Sequence, residues 1–156
     1  MPIELGTQHI DETTTYSARS FYSDAYSTEL DRNEIITETR FPVLDSDQGV
    51  AYNKWHPSEV AYAVASAGVS VEIKESYITD ATIVTGAIEP TPKLRPSVAN
   101  QLIGVQPTEQ TLNQAAIAVA EYCEPVEDFE GSKLFKKEMI KTLVKKSLTE
   151  AVEKVK

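Results

Sequence analysis

The stretch VAYAVASAGVSVEIKES, residues 60–76, decides between a helical and a β interpretation of this chain. Its alanines would suit a helix, but Gly68 and the alternation of apolar residues from Val69 to Ile73 favour a strand. The next stretch, YITDATIVTGAIEPTP (residues 77–92), is rich in β-branched residues and stops at two prolines. We therefore predict two consecutive strands that are joined by a tight link and pair antiparallel.

Two further strands are predicted on the N-terminal side of this pair. EIITETRFPV, residues 34–43, alternates in part and ends at Pro42, which cannot donate to a β-ladder. A turn cluster, LDSDQG, separates it from GVAYNKW, residues 49–55. Short links between consecutive strands predict an antiparallel meander of three to four strands.

The pattern becomes helical after residue 92. RPSVANQLIGV, residues 95–105, has a proline in its first turn and Gly104 as a stop signal. Thr108 and Ser132 are expected to cap two longer helices. The last helix carries an apolar stripe at helical spacing, with lysines on the other side; the stripe consists of Phe135, Met139, Leu143, Ser147, Ala151 and Val155. The predicted fold class is α+β, an antiparallel sheet followed by about three helices packed on one face.

Composition and charge limit the class of protein. A length of 156 residues with 41% hydrophobic residues is enough for one domain with a core. Residues 1–33 are polar and lack a sustained period, so we expect an extended arm there, with at most one helical turn. The net charge of −9 argues against nucleic acid as a partner. Residues 131–156 carry a net charge of +5. The simpler interpretation is a solvated helix face, and the alternative is a surface that binds an acid-rich neighbour.

Residues for catalysis or metal binding are scarce. The two histidines, His9 and His56, lie far apart in sequence, and neither is near a G-x-S-x-G turn. The single cysteine, Cys123, excludes an internal disulfide and is expected to be buried. Because no glycine-rich phosphate loop is visible either, we predict no catalytic residue and no metal site. No apolar run approaches the roughly 20 residues of a membrane helix, and the start has no signal core, so we expect a cytoplasmic protein without a membrane partner.

The residues of GVAYNKW are the remaining candidates for a site. Alternation places Tyr52 and Lys54 on one face of the strand and Trp55 on the other. Tyr52 and Lys54 could border a flat aromatic ligand by stacking and hydrogen bonding. The competing interpretation is a sheet face that packs under a helix.

Four motifs, in this order, carry a resemblance to a known family: E-I-I-T-E-T-R-F-P, A-Y-x-K, G-A-I-E-P-T-P and G-S-K-L-F-K-K-E-M-I-K-T-L-V. The sequence resembles the C-terminal domain of the FAD-binding medium subunit of molybdenum hydroxylases, the family of aerobic carbon monoxide dehydrogenases and of xanthine and aldehyde oxidoreductases. Members commonly have E-I-I-T-E-I-R-I-P, A-Y-x-K-x, G-G-V-A-P-T-P and G-S-x-x-Y-R. No one motif is specific, but their order and spacing over about 120 residues are.

The resemblance implies a domain organisation, a cofactor and partners. Residues 34–156 would form the C-terminal-like domain, and residues 1–33 would resemble the end of the FAD-binding domain and its linker. FAD would be shared with an upstream FAD-binding domain or a partner chain. Molybdopterin and [2Fe–2S] clusters would be held by partner subunits, a molybdenum large subunit and an iron–sulfur small subunit. In the family an aromatic residue of the A-Y-x-K strand lies near the isoalloxazine; Tyr52 matches it, and Lys54 matches the basic position that follows.

The chain departs from the family pattern at two places. K-W-H-P-S-E replaces a loop such as K-F-A-R-R-P-G-D, which is about two residues longer and contains an arginine pair. Glu89 stands in G-A-I-E-P-T-P where the family has a neutral residue, and we expect its side chain to be exposed.

We therefore predict that the chain is the C-terminal part, as a split subunit or a fragment, of the flavoprotein subunit of a molybdenum–iron–sulfur hydroxylase. It would complete the FAD environment for electron transfer from [2Fe–2S] clusters to an external acceptor and would not be catalytic alone. The alternative is a stand-alone interaction or scaffold module without a redox role, which the missing arginine pair favours. A third possibility, an unrelated enzyme with a cleft carboxylate, has no motif in its favour.

Overall fold

A computed structural model of the chain describes residues 3–9, 12–58 and 62–155. The chain forms two compact units, Met1–Leu44 and Asp45–Lys156. The units divide after Leu44, whereas the division expected from the sequence falls after Asn33. The difference corresponds to one strand, which the sequence analysis placed at the start of the second unit.

The first unit consists of β-strands. Its strands are β1 (Glu4–His9), β2 (Glu12–Ser17), β3 (Tyr22–Asp24), β4 (Ser27–Thr28) and β5 (Ile35–Arg40). One sheet has the antiparallel order β2-β1-β5, and β3 and β4 form a two-stranded ribbon. The expected arm is extended but more regular than the sequence indicates, since residues 12–17, 22–24 and 27–28 pair as antiparallel strands and no helical turn occurs among its described residues. The strand predicted at residues 34–43 exists, but it pairs with β1 and does not open the meander.

The carboxylate of Glu34 forms hydrogen bonds with several parts of the first unit. It accepts hydrogen bonds from the hydroxyls of Thr7 and Tyr16, the latter at 3.0 Å, and from the backbone N–H of Asp31 at 3.1 Å. The hydrogen bond to Glu34 also raises the pKa of Tyr16, because loss of the phenol proton would place two anions together. Among the described side chains this unit buries little, since Phe21 is its one buried hydrophobic residue.

The second unit confirms the α+β prediction. Its strands are β6 (Gln48–Trp55), β7 (Ala65–Lys74), β8 (Tyr77–Gly86) and β9 (Lys93–Leu94), and its helices are α1 (Pro96–Ala99), α2 (Glu109–Tyr122) and α3 (Lys133–Glu153). A 3-10 turn, Asn100–Leu102, follows α1. The strand order β6-β7-β8-β9 is antiparallel throughout, which is the predicted meander.

Local signals fix the ends of the helices where the sequence predicts them. The hydroxyls of Thr108 and Ser132 accept hydrogen bonds from the backbone N–H groups of Thr111 and Phe135, so both predicted N-caps are confirmed. Gly104 has a φ of 80°, a conformation that suits glycine and stops the helical segment.

One face of the sheet, the inner face, is covered by helices. Helix α3 packs across β6 and β7, α1 packs on β8, and α2 packs against α3. The inner residues of β7 are Ala65, Ala67, Val69 and Val71, all buried. Helix α3 approaches β6 so closely that a Cβ built on Gly49 would lie 1.9 Å from the carbonyl oxygen of Ala151. Glycine is therefore required at position 49.

A polar network sets the position of α3 along the sheet. The Ser147 hydroxyl, fully buried, donates to the carbonyl oxygen of Ala67 at 3.2 Å. The Asn53 amide donates to the Ser147 Oγ at 3.1 Å and to the Glu150 carboxylate at 2.8 Å. Because each buried group has a partner, the network adds specificity without an unsatisfied polar atom.

Two charged residues differ from the sequence expectation. Lys136 is 2% exposed, although the lysines of α3 were expected on the solvent side; its ammonium donates to the Asp128 carboxylate at 2.6 Å and to the Val126 carbonyl at 2.9 Å. Glu89 was expected to be exposed, but its side chain is 11% exposed and forms an ion pair with Arg95. Glu89 also accepts from the backbone N–H of Glu124 at 3.0 Å. Both side chains are buried because a neighbouring loop supplies an opposite charge or a backbone partner.

Replacing Ala87 by glycine is expected to stabilise the protein. Ala87 has a φ of 67°, in the left-handed region that costs an L-residue about 1–2 kcal/mol, and the family motif has glycine there. Since glycine gains entropy in the unfolded chain, we expect a net gain of about 0.5–1 kcal/mol in Ala87→Gly. Urea denaturation followed by Trp55 fluorescence measures it. The matched control, Ala118→Gly in helix α2, should lose about 1 kcal/mol; loss of stability in both variants would contradict the assignment of strain to Ala87.

Candidate functional site

The face of the second sheet that points away from the helices, the outer face, carries both predicted site residues. Tyr52 on β6 lies opposite Gly68 on β7, which lies opposite Val84 on β8, and Val84 lies opposite Leu94 on β9. Side chains of directly opposite residues share a face, so these four residues form one row across the sheet.

Tyr52 is exposed to 62% and leans over the glycine of the neighbouring strand. A Cβ built on Gly68 would lie 3.8 Å from Cδ2 of the Tyr52 ring, an ordinary van der Waals contact. An aromatic ring over a cross-strand glycine covers backbone that would otherwise be bare. The other side of the ring is left open to a ligand or a partner.

The row beside Tyr52 contains the second predicted residue. Lys54 lies opposite Ser66, and Ser66 lies opposite Gly86. Lys54 is exposed, and the Ser66 hydroxyl lies 2.7 Å from a Cβ built on Gly86, so a side chain at position 86 would require that hydroxyl to move. The ammonium of Lys54 and the ring of Tyr52 are thus on the same face, as the alternation predicts. Because Tyr52 is exposed, the competing interpretation, in which this face packs under a helix, is wrong.

Small residues of β7 make the floor of this face, and they are not among the site residues predicted from the sequence. They are Ser66, which is itself buried at 7% exposure, and the half-buried Gly68 and Ser70; all three alternate with the inner residues. The available signal is the alternation itself, with Ser66, Gly68 and Ser70 at even positions and the apolar residues Ala65, Ala67, Val69 and Val71 at odd positions of one strand. A floor without bulky side chains leaves Tyr52 standing above a flat surface.

The hairpin end of the outer face is charged. The Glu72 carboxylate accepts from the Lys74 ammonium at 2.6 Å and from the Thr79 hydroxyl at 3.2 Å, and Lys74 also pairs with Asp47 at 3.2 Å. The hydrogen bond from Lys74 lowers the pKa of Glu72. The face therefore changes from charged and internally paired at the hairpin to open and aromatic around Tyr52.

The other candidates of the sequence analysis lie apart from this face. Trp55 points to the inner side and contacts Phe135 edge to face, with ring centroids 5.5 Å apart. Nδ1 of His56 lies 2.5 Å from the carbonyl oxygen of Ser58, and the side chain of His9 lies outside the described residues. Cys123 is fully buried, as predicted, and burial raises the pKa of its thiol.

Among the described residues there is no group of three or more histidine, cysteine, aspartate or glutamate side chains placed to hold a metal ion together. None of the helices in the described part of the chain combines the length and the apolarity that membrane crossing requires. The outer face presents the exposed ring of Tyr52 and the exposed side chain of Lys54 beside small residues of β7.

Comparison with known proteins gives a consistent result. A sequence profile described as "CO dehydrogenase flavoprotein C-terminal domain" matches residues 50–151. The carbon monoxide dehydrogenase medium chain of Hydrogenophaga pseudoflava is 29% identical over 137 residues, which is 88% of this chain and 48% of the relative. The glyceraldehyde dehydrogenase medium chain of Sulfolobus acidocaldarius is 26% identical, over 85% of this chain and 47% of the relative.

The solved structures agree with the sequence relatives. A carbon monoxide dehydrogenase from Hydrogenophaga pseudoflava, solved without the Mo-pyranopterin moiety of its cofactor, matches with a TM-score of 0.91 at 25% identity, over 99% of this chain and 54% of that chain. The chain thus spans about half the length of the curated relatives it matches. Because the profile covers most of the second unit, the chain belongs to the family of CO dehydrogenase flavoprotein C-terminal domains.

Proposed function

We propose that this chain completes the FAD environment in the flavoprotein subunit of a molybdenum–iron–sulfur hydroxylase. The observation that carries the proposal is the outer face, where the ring of Tyr52 stands over Gly68 and is left uncovered by the helices. The family membership of the second unit supplies the context. The chain has the role of a binding surface in this proposal, and its partners would be an FAD-binding domain or chain, an iron–sulfur subunit and a molybdenum subunit.

The first unit supports an association with further protein. Its sheet leaves both Ile35 and Ile36 exposed, at 66% and 44%, and its one buried hydrophobic side chain among the described residues is Phe21. Among the described residues β2 and β5 are the edge strands of that sheet, and an edge strand offers backbone groups with which another strand can pair. A sheet with so little burial is stabilised when another element covers it, which fits the proposal that residues 1–33 are the end of an FAD-binding domain and its linker.

The residues of the outer face fit an isoalloxazine ring. Tyr52 offers a planar surface for stacking, and the ammonium of Lys54, on the same face, suits a ring system that gains negative charge on reduction. Gly68 and Ser70, which are small and half-buried, leave room for a flat group. The chemistry that FAD supplies when bound is electron transfer from [2Fe–2S] clusters to an external acceptor. What this chain contributes is the position of the ring and the exclusion of water from one side of it.

The alternative function is a scaffold module of the same fold. The observation in its favour is the short connection after β6, where K-W-H-P-S-E contains no arginine. A scaffold would hold its partners together equally well with or without the Tyr52 ring, so changes at Tyr52 distinguish the two functions.

We expect Tyr52→Ala to change flavin properties without loss of assembly. In the chain co-purified with the FAD-binding fragment, loss of the stacking ring should weaken FAD retention about tenfold and raise flavin fluorescence, because a stacked phenol quenches it. The measurement is flavin fluorescence during dilution of the assembled pair. Tyr52→Phe should retain most of the wild-type behaviour.

The matched control is Tyr77→Ala, on the same sheet at the hairpin end and 45% exposed. It should leave flavin fluorescence unchanged. Equal flavin retention in Tyr52→Ala and the wild type would contradict the flavin role of the outer face and favour the scaffold function.

A further inference from the structure

The outer face of the second sheet is electrically asymmetric along its strands. Its hairpin end carries two acids directly opposite each other, Glu72 on β7 and Asp80 on β8. Its other end carries Lys54 on β6, which lies opposite Ser66 of β7. The ring of Tyr52 stands between these ends, in the row beside Lys54. The face therefore has a negative end and a positive end, with the aromatic ring next to the positive one.

Lys54 has no partner for its charge in the described part of the chain. Its side chain makes no hydrogen bond or ion pair there, and the residues beside it across the sheet, Ser66 and Gly86, are uncharged. Lys74, the other lysine that the strands place on this face, is paired with Glu72 at 2.6 Å. Of these two lysines, Lys54 is thus the one whose charge is available to a ligand.

The chain around Lys54 is free of acids. Residues 49–58 of β6 and its following turn, 63–71 of β7 and 81–88 of β8 contain no aspartate or glutamate. Glu59, the nearest acid in sequence, lies outside the described residues. Among the described residues, the positive end of the face therefore has one sign of charge.

The acids of the hairpin end are too far away to cancel this charge. Ser66 and Glu72 are six residues apart on β7, which is about 20 Å along a strand. Exposed charges are screened over about 8 Å at physiological ionic strength. The electrostatic potential at Lys54 is therefore little affected by Glu72 or by Asp80 opposite it.

The apolar side chains of the outer face continue the row of Tyr52. Val84 on β8 is half-buried and Leu94 on β9 is 38% exposed, and the two residues lie opposite each other. The face thus separates two kinds of contact, an apolar one over Val84 and Leu94 and an anionic one beside Lys54.

An isoalloxazine ring has two ends with the same contrast. One end is a dimethylbenzene ring, and the other is a pyrimidinedione that includes N1. When FAD is bound, the chemistry it supplies is the uptake of two electrons and one proton, which leaves one negative charge at N1; the electrons come from the [2Fe–2S] clusters of the proposed function. A cation beside N1 binds the reduced ring more tightly than the oxidised ring, and this difference raises the reduction potential.

We propose that Lys54 sets the reduction potential of the flavin, because the outer face turns the pyrimidinedione end of the ring to Lys54 and the dimethylbenzene end to Val84 and Leu94. This inference rests on the proposed function, which supplies FAD, and adds to it an orientation of the ring and a redox role for one residue. Tyr52 holds the ring in both redox states, whereas Lys54 favours the reduced one. The two roles are therefore separable by experiment.

The experiment measures the flavin reduction potential by spectroelectrochemical titration of the full chain co-purified with the FAD-binding fragment. Lys54→Met removes the charge and keeps the length of the side chain. It should weaken binding of the reduced flavin about tenfold relative to the oxidised flavin. For a two-electron couple this lowers the reduction potential by about 30 mV. Lys54→Glu changes the charge twice as much and should lower the reduction potential about twice as far.

Two control variants test whether the effect belongs to the cation at this position. Lys54→Arg keeps the charge and should keep the wild-type reduction potential. Lys74→Met removes the paired lysine at the hairpin end and should also leave the reduction potential unchanged. Because the side chain of Lys54 is exposed, Lys54→Met should retain the wild-type melting temperature.

The outcomes distinguish this inference from the proposed function. An unchanged reduction potential in Lys54→Met, with the flavin retained, would overturn the redox role of Lys54 and leave the proposed function standing. Equal weakening of both redox states would also overturn it, since Lys54 would then bind FAD without regard to the charge of the ring. If the FAD-binding fragment retains flavin equally well with and without this chain, the proposed function and this inference are both wrong.

Discussion

Gly49→Ala is expected to destabilise the second unit by about 3 kcal/mol or more. A methyl group at this position would lie 1.9 Å from the carbonyl oxygen of Ala151, 2.9 Å from its carbonyl carbon and 3.1 Å from Val155. Two of these atoms belong to the backbone of α3, so no side-chain rotation can relieve the clash. The helix would have to move away from β6, and it would lose part of the polar network that Ser147 forms with the sheet.

The single tryptophan makes this effect measurable. Trp55 lies at the end of β6 and packs against the core of the second unit, so its fluorescence during urea denaturation reports the unfolding of that unit. Gly68→Ala is the matched control on the neighbouring strand, where the nearest atom to a new Cβ is 3.8 Å away. Its free energy of unfolding should stay within about 0.5 kcal/mol of the wild type. Equal midpoints for the two variants would show that α3 does not approach β6 as described.

Lys136→Ala should have the second largest effect, a loss of about 2–3 kcal/mol. The substitution leaves the Val126 carbonyl without its donor and removes a buried aliphatic chain. The carboxylate of Asp128 is 38% exposed, so water can solvate it and limit the cost. The free energy of unfolding from urea denaturation measures the loss.

Two further variants serve as controls for the Lys136→Ala result. Lys136→Arg keeps a cation at a position where the family motif has arginine, and it should retain most of the stability. Lys137→Ala removes a neighbouring lysine, which donates to the carbonyl oxygen of Glu121 at the surface, and should cost less than about 0.5 kcal/mol. If Lys136→Ala were no more costly than Lys137→Ala, the buried lysine would not hold the turn.

The helices and the meander could be predicted because their signals are local. Thr108, Gly104 and Ser132 act within a few residues of their own position, and the alternation in β7 is set by its own side chains. The partner of β5 could not be predicted in the same way. The pairing of β5 with β1 joins residues about thirty positions apart. The sequence of a strand does not by itself determine which other strand it pairs with.

The site was predicted in part for a similar reason. Alternation is enough to place Tyr52 and Lys54 on one face and Trp55 on the other. The glycine under Tyr52 belongs to another strand, so its role depends on the register of β6 with β7, which the sequence alone does not fix. Lys136 and Glu89 were assigned to the surface because charged residues usually lie there; their burial follows from partners in loops.

We propose that this chain completes a flavin environment by means of the outer face of its sheet. The most direct test is the visible absorption spectrum of the chain purified after co-expression with the FAD-binding fragment, beside the spectrum of each protein purified alone. We expect a stable pair that retains a flavin band, with weaker retention by the FAD-binding fragment alone and none by this chain alone. If the fragment retains flavin equally well with and without this chain, the proposed function is wrong.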